Sequence, residues 1–307
     1  EFAGHPAAAL VFTITTPAAA SDFALPLPVG AVVDLQADWG DGSTPEHVTA
    51  AGTTHQYAQA GTYDVVLTGS ASRLGFNNSG NDPNANLVVA IKQLGSLGVL
   101  DMGYLASCKN MRSFKAAPCD TSRVANLGGF FYNTGKLRYC NVAGMDTRRT
   151  ANLLYGLMST GLESVDLTAW DVSAVTTLSY LFYGCPNLTH ADISNWRTPA
   201  LTNLSFFQAT ASKLTRLDTS QFDVSKVTTA ASYAASVKLD TDIYDKILIA
   251  WAAQTVQSAV PADFGTSKYT AAAQAARDKL TGAPNNWVIT DGGLDATPPA
   301  PALGARV

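Results

Sequence analysis

The stretch from Met111 to Lys238 repeats one short pattern five times, and this repeat constrains the fold more than any other feature of the chain. Successive copies are 26, 25, 26, 26 and 25 residues long. They begin at Met111, Leu137, Leu162, Leu188 and Leu214. A period in this range is typical of a solenoid, in which each unit stacks on its neighbours because no unit can bury its apolar face alone.

Numbering the positions of each unit as columns shows which side chains the repeat buries. Columns one, four and six stay mostly apolar, which predicts a short strand with columns four and six facing inward. Column nine is interpreted as a structural ladder in the core, because Cys and Met share it with the aromatic residues. An exposed aromatic row would instead offer a platform for sugar rings. The members of column nine are Cys119, Met145, Trp170, Trp196 and Phe222.

Columns three and five face outward and supply the candidate ligand-binding residues. Column three varies in chemistry, whereas column five holds three aspartates that stacking would bring to about 4.8 Å apart. Carboxylates at such a short separation need a cation, hydroxyls or backbone donors to offset their repulsion. A glycosidase would need two carboxyls about 5 to 9 Å apart beside a cleft, so we favour structural bonding over catalysis. The candidates are Tyr139, His190 and Arg216 in column three and Asp166, Asp192 and Asp218 in column five.

Composition and motif content argue against several classes of function. The formal net charge is −4, which gives no basic surface for nucleic acid. No apolar run approaches the roughly 20 residues that cross a bilayer. The four cysteines form no C-x-x-C pair and are expected to be buried thiols rather than metal ligands or disulfides. No hydrolase, zinc-protease or phosphate-loop motif is present, so we predict no enzyme activity, no metal and no cofactor.

The first 72 residues contain β-rich runs around a short turn motif. The motif DWGDGS begins at Asp38 and is followed by HQY at 55–57 and AGTY at 60–63. Trp39, Asp41 and Gly42 are predicted to form a structural turn rather than a catalytic or calcium site, because Asp bonds such turns locally. This part resembles the PKD-type immunoglobulin-like β-sandwich. Residues 73–86 are a predicted linker, and the tips around Asn77 to Asn84 are a rival binding site.

The repeats resemble the BspA-like leucine-rich repeats of bacterial surface proteins. The phrases DLTAWDVSAVTTLSYLFYGCPNL and DISNWRTPALTNLSFF carry this resemblance, which weakens at 145, 148–149, 199 and 230–235. Chains that join a W-G-D-G sandwich to such repeats also occur among tail and fibre proteins of bacterial viruses. The resemblance implies a non-enzymatic recognition or structural protein on a cell or virion surface.

The C-terminal part leaves the repeat. Helical spacing of apolar residues predicts helices over 241–255 and 270–280, followed by a closing strand at 287–290. The predicted organisation is therefore a sandwich (1–72), a linker (73–86), a leucine-rich-repeat solenoid with a degenerate first unit (87–238), a C-terminal helical cap (239–293) and a Pro-rich tail (294–307) that is a linker or docking arm.

The expected function is that of a bacteriophage virion protein in a tail fibre, tail tip or capsid decoration. Its partners would be a host cell-surface glycan or protein, or neighbouring virion subunits, within a homo-oligomer or other symmetric assembly. It would lie on the virion surface and neither bind nucleic acid nor insert into a membrane. A secreted or cell-wall adhesin is the alternative, with an extracellular or cell-surface location, and a carbohydrate-active enzyme is a weaker one.

Overall fold

A computed structural model describes residues 8–76, 82–105 and 108–296. Residues 77–81 of the rival binding loop and the tail from residue 297 lie outside the described residues. Strands account for 25% and helices for 9% of the residues, so the protein is mainly β.

The N-terminal strands do not form a self-contained sandwich. Six strands precede the repeats: β1 (Leu10–Thr16), β2 (Ser21–Ala24), β3 (Val33–Asp38), β4 (Glu46–Val48), β5 (Thr54–Tyr57) and β6 (Gly61–Ala71). β2 and β5 pair with each other, whereas β4, β3, β6 and β1 begin a larger sheet. That larger sheet does not end with the N-terminal region.

A single seven-stranded sheet crosses from the N-terminal strands into the repeats. A 3-10 turn (Ala85–Leu87) leads into β7 (Val88–Gln93), and the first two units contribute β8 (Ser113–Lys115) and β9 (Tyr139–Asn141). The order is β4-β3-β6-β1-β7-β8-β9. β7 pairs antiparallel with β1 and parallel with β8, so it joins the two regions. An open edge on β7 would leave unpaired backbone groups, and β1 supplies their partners.

The repeat units stack in register, but their strands do not form one continuous ladder. β10 (Ser164–Asp166) and β11 (His190–Asp192) form a separate two-stranded parallel sheet. Between successive units, the column-sixteen residues form one isolated parallel bridge each time. These bridges link Asp101, Asn126, Asn152, Thr177, Asn203 and Thr229 in order. Asparagine side chains reinforce these bridges: Asn152 Nδ2 donates to Asn126 Oδ1 at 2.9 Å. The predicted leucine-rich-repeat solenoid is therefore wrong, because such a fold requires an uninterrupted parallel sheet.

The C-terminal region is not the predicted helical cap. Two helices form near the expected positions, α1 (Thr241–Ala252) and α2 (Ala271–Thr281). They alternate with β12 (Pro261–Asp263) and β13 (Val288–Thr290), which pair in parallel. Ala230 of the last unit bridges Ala262 of β12, so a strand rather than a helix face continues the stack. The expected sequence of sandwich, solenoid and helical cap is thus replaced by a mainly β protein with a large mixed sheet.

The column-nine side chains lie inside the stack. Met145, Trp170, Trp196 and Phe222 are at most 3% exposed, and Cys119 is half-buried. Trp196 donates its indole N–H to the carbonyl of Leu167 at 3.0 Å and stacks on Phe222 with ring centroids 6.3 Å apart. The four cysteines are free thiols.

The turn at Asp41 is bonded by its own neighbours. Its Oδ1 accepts from the Ser43 amide at 3.0 Å, and its Oδ2 lies 2.7 Å from Nε2 of His55, which stacks on the buried Trp39. Gly42 has φ +84°, which favours glycine. Burial acts to raise the pKa of Asp41, but the hydrogen bonds from Ser43 and His55 outweigh it and lower the pKa to about 2.

The depressed pKa of Asp41 predicts an acid-dependent contribution to stability. Because the folded-state pKa lies below the ordinary value of 3.8, the contribution is complete above about pH 4 and is lost as the pH falls toward 2. In Asp41→Asn, the melting temperature should be lower at neutral pH and fall less steeply below pH 4 than in the parent. Parallel melting curves that keep a constant separation from pH 7 to pH 2 would contradict this assignment.

Candidate functional site

The outward faces of the short strands bring several of the predicted binding residues together. Tyr139 and Asn141 lie on β9, and Asp166 lies on β10 of the next unit. His190 is opposite Ser164 in the β10–β11 register, and Asp166 is opposite Asp192. The site is therefore built from one column-three and two column-five side chains, and His190 lies on β11 of the following unit.

A depression of about 310 Å³ opens where the strand ladder is interrupted between β9 and β10. Tyr139, Asn141, Asp166 and Ala169 line it together with 140, 142 and 143. Within residues 108–296, which the structure describes without a gap, β9 and β10 are not paired as β8–β9 and β10–β11 are. The absence of strand pairing between β9 and β10 leaves space for a ligand between the second and third units.

The side chain at column eight differs among the last three units in whether it reaches a carbonyl of the preceding unit. In the last unit this position is Gln221, whose amide donates to the carbonyl of Ile193 at 3.0 Å. In the fourth unit it is Asn195, which lies 3.4 Å from the carbonyl of Thr168. In the third unit it is Ala169, which has no polar group to place there. Ala169 is also the column-eight residue that lines the depression.

A buried indole also lacks a partner beside this interruption. Trp196 and Trp170 occupy column nine of adjacent units, but only the first reaches a carbonyl of the preceding unit. Nε1 of Trp170 is buried and makes no hydrogen bond, although Trp170 is only 2% exposed. The loss of this bond coincides with the absence of pairing between β9 and β10.

The aspartates of column five are held by their own turns. Oδ1 of Asp166 accepts from the amide and the hydroxyl of Thr168 at 2.9 and 2.7 Å. Asp192 accepts in the same way from Ser194, and Asp218 accepts from the Ser220 amide. These donors offset the repulsion within the row, which agrees with the structural bonding that we favoured.

Asp166 nevertheless retains a carboxylate oxygen for a ligand. Its hydrogen bonds from Thr168 all go to Oδ1, and its side chain is exposed. Those bonds, together with the nearby His190, hold the pKa of Asp166 below its usual value, so the group is ionised at neutral pH. Oδ2 can therefore accept hydrogen bonds from hydroxyl groups.

Arg216 was predicted to bind a ligand, but it pairs with two aspartates of the protein instead. Its guanidinium donates to Asp240 at 2.6 Å and to both carboxylate oxygens of Asp242 at 2.9 and 3.1 Å. Asp240 is the N-cap residue of α1 and Asp242 lies in its first turn, so Arg216 ties the last unit to that helix. We leave Arg216 out of the proposed binding site for this reason.

The sequence interpretation missed a row of aromatic rings on another part of the units. This tyrosine stripe consists of Tyr104, Tyr132, Tyr155, Tyr180, Tyr183 and Phe206, all half-buried. Ring centroids of Tyr155 and Tyr180 are 5.1 Å apart, and Tyr180 lies parallel to Phe206 at 4.5 Å. The signal was present in column nineteen, which holds three of these rings in successive units.

The described residues show neither a metal cluster nor a membrane-spanning helix. No group of three or more His, Cys, Asp or Glu side chains among them is arranged to hold a metal ion. Neither α1 nor α2, the helices of the described part, is long and apolar enough to cross a membrane.

These contacts define a mainly β protein with stacked repeat units. Residues 154–269 match the family described as Mycoplasma protein of unknown function, DUF285. The matched span runs from the second unit to just before α2 and is less than half of the chain. No curated protein and no solved structure matches the chain. The resemblance of the N-terminal part to PKD domains stays a prediction.

Proposed function

We propose that this chain is a non-enzymatic recognition protein that binds a surface glycan at the depression between β9 and β10. The observation that carries the proposal is the combination of an exposed aromatic ring, an amide and an ionised carboxylate around one opening. A sugar ring presents an apolar face to an aromatic side chain and hydroxyls to polar groups. A volume of about 310 Å³ suits one sugar ring.

The three side chains have complementary roles in this proposal. Tyr139 is 54% exposed and offers its ring for stacking. Oδ2 of Asp166 accepts hydrogen bonds from sugar hydroxyls. Asn141 uses Oδ1 to accept from the Ala143 amide, which orients its Nδ2 toward the phenol of Tyr139 at 3.4 Å and toward a ligand placed there.

Binding and catalysis are separated by one experiment on the same glycans. On a glycan array, the protein should retain a sugar, and no reducing sugar should be released from that glycan in solution. Asp166→Asn and Tyr139→Ala should each weaken binding about tenfold, which corresponds to about 1.4 kcal/mol. If the parent protein released sugar and Asp166→Asn abolished that release, the protein would be an enzyme and the proposal would be wrong.

Asp192→Asn is the matched control for Asp166→Asn. Asp192 occupies the same column one unit later and makes the same turn bonds, but it does not line the depression. Its replacement should leave glycan binding unchanged. Equal losses in the two variants would assign the effect to the turn and not to ligand contact.

The repeats' resemblance to surface proteins supports a place outside the cell for this recognition. We assign the chain to the surface of a bacteriophage virion, bound to a host component or to neighbouring virion subunits. A bacterial adhesin is the second candidate, and it is favoured by the match to a family described from Mycoplasma. BspA-like proteins carry domains of that family. Antibody labelling of purified particles and of whole cells distinguishes the two locations.

A further inference from the structure

A second opening lies beside the proposed glycan site, where the N-terminal strands meet the first repeat unit. It is a cleft of about 800 Å³, and it shares no lining residue with the depression between β9 and β10. Its walls come from β1 and β6 on one side and from the chain around the starts of β7, β8 and β9 on the other. The polar side chains on these walls include Thr15, Thr62, Asn86, Asn110 and Ser113.

The charged side chains that line this cleft are both basic. Arg112 and Lys136 belong to the first unit, and among the described residues no Asp or Glu lines the cleft with them. Asp64, two residues along β6 from Thr62, is paired with Lys92 at 2.6 Å. The cleft therefore carries positive charge that no carboxylate on its own walls offsets.

The guanidinium of Arg112 is available to a ligand. Its side chain is exposed, and it makes no hydrogen bond or ion pair within the part of the chain that the structure describes. Arg138, which holds the same column in the next unit, donates instead to the carbonyls of Gly135 and Gly161 at 3.0 Å each. A guanidinium presents its N–H donors in a planar fork that matches a carboxylate or a phosphate. Arg112 therefore keeps its full set of donors for such a group.

Lys136 is held at the cleft by a short chain of polar contacts. Its ammonium donates to Oδ1 of Asn110 at 2.7 Å, and Nδ2 of Asn110 donates to the carbonyl of Asn86 at 2.7 Å. An ammonium has three N–H donors, so the contact with Asn110 leaves donors for a ligand. Lys136 thus adds a positioned positive charge to the cleft that Arg112 lines.

The cleft and the depression adjoin on one face of the seven-stranded sheet. Ser113 lines the cleft, Tyr139 lines the depression, and the two residues are partners in the parallel β8–β9 register. Partner residues on adjacent strands point to the same face, and their strands lie about 4.8 Å apart. A short oligosaccharide can therefore reach from one opening into the other.

The two openings differ in charge, which sets the direction of such a ligand. Asp166 of the third unit is ionised at neutral pH and repels a carboxylate or a phosphate. Arg112 and Lys136, at the other end, attract the same groups. An anionic sugar would therefore lie in the cleft, and a neutral sugar would lie beside Asp166.

We propose that the ligand of this face is an acidic glycan, whose carboxylate or phosphate binds Arg112 and Lys136 while an adjoining sugar ring occupies the depression at Tyr139. The inference rests on the proposed glycan site and adds the class of sugar that the site takes. The guanidinium donates paired hydrogen bonds to the anionic group, and the ammonium adds a second positive charge. The hydroxyl of Ser113 lies between the two openings and bonds to a sugar hydroxyl.

Matched pairs of glycans on an array test this inference with the full chain. In one set of pairs, a hexuronate replaces a neutral hexose, and in the other, a sugar phosphate replaces the same sugar without phosphate. The two sets distinguish the carboxylate from the phosphate as the source of the charge. In at least one pair, the acidic member should bind about tenfold more tightly than its neutral counterpart. Raising NaCl from about 0.05 M to about 0.5 M should reduce this preference, because salt screens exposed charges.

Two arginine variants of the first unit separate the cleft from the overall charge of the protein. Arg112→Gln should bring the affinity for the acidic member down to that for its neutral counterpart. Arg123→Gln is the matched control, because Arg123 is also exposed but lines neither opening. It removes the same charge and should leave the preference for the acidic member as it is in the parent.

The outcomes distinguish failure of this inference from failure of the glycan site. Equal binding of the acidic and neutral members in every pair would overturn the inference, as would a preference that Arg112→Gln retains or that Arg123→Gln removes equally. In those cases, binding that Tyr139→Ala still weakens would leave the glycan site in place. If no glycan of either kind were retained, or if Tyr139→Ala left binding unchanged, the glycan site and this inference would both be wrong.

Discussion

Replacing Trp196 with alanine is expected to lower the free energy of unfolding by about 3 to 5 kcal/mol. The side chain is fully buried, stacks on Phe222 and donates to the carbonyl of Leu167. Its removal leaves a cavity between the third and fourth units and an unpaired carbonyl. Urea denaturation followed by circular dichroism measures the loss.

Phenylalanine substitutions isolate the hydrogen bond from the packing. Trp196→Phe removes a bonded indole N–H, whereas Trp170→Phe removes one that is buried without a partner. The first substitution should therefore cost about 1 kcal/mol more than the second. Equal losses would show that the indole bond of Trp196 contributes little to stability.

Replacing Asp291 with alanine is expected to destabilise the C-terminal region by about 3 kcal/mol or more. Its carboxylate is 3% exposed and accepts from Nε of Arg277 and from the hydroxyl of Tyr244, each at 2.8 Å. Without it, the guanidinium of Arg277 and the buried phenol lose their partner. The melting temperature and the urea midpoint both report this change.

Asp34→Ala is a suitable control for Asp291→Ala. Asp34 also pairs with a basic side chain, His47, at 2.8 Å, but the two side chains are 77% and 56% exposed. Exposed pairs contribute about 0 to 1 kcal/mol, so this variant should unfold almost as the parent does. Comparable losses in the two variants would remove burial as the explanation for the effect at Asp291.

The local parts of the fold could be predicted from the sequence because they are encoded within one unit. The period placed Trp196 and Phe222 in the interior, and helical spacing located α1 within a few residues. The same columns placed Tyr139 and Asp166 on the outward face, beside each other in adjacent units. Such inferences need only the spacing of apolar and polar residues.

The remaining features depend on contacts between residues distant in sequence. The pairing of β1 with β7 joins Val11 to Gln93, and neither strand contains a local signal for the other. Arg216 looked free for recognition because its partner Asp242 lies 26 residues further on. The tyrosine stripe was missed for another reason, because aromatic residues are not expected at positive φ.

The pairing of β1 with β7 also covers a strand edge to which another chain could otherwise add. Parallel strands that repeat at regular intervals form a template to which further chains can add, and growth stops only where an edge is covered. Here β1 pairs antiparallel with β7, so the sheet continues on that side into the N-terminal strands. The N-terminal region therefore ends the parallel series of strands at β7 and leaves that edge no free backbone groups for a further chain to pair with.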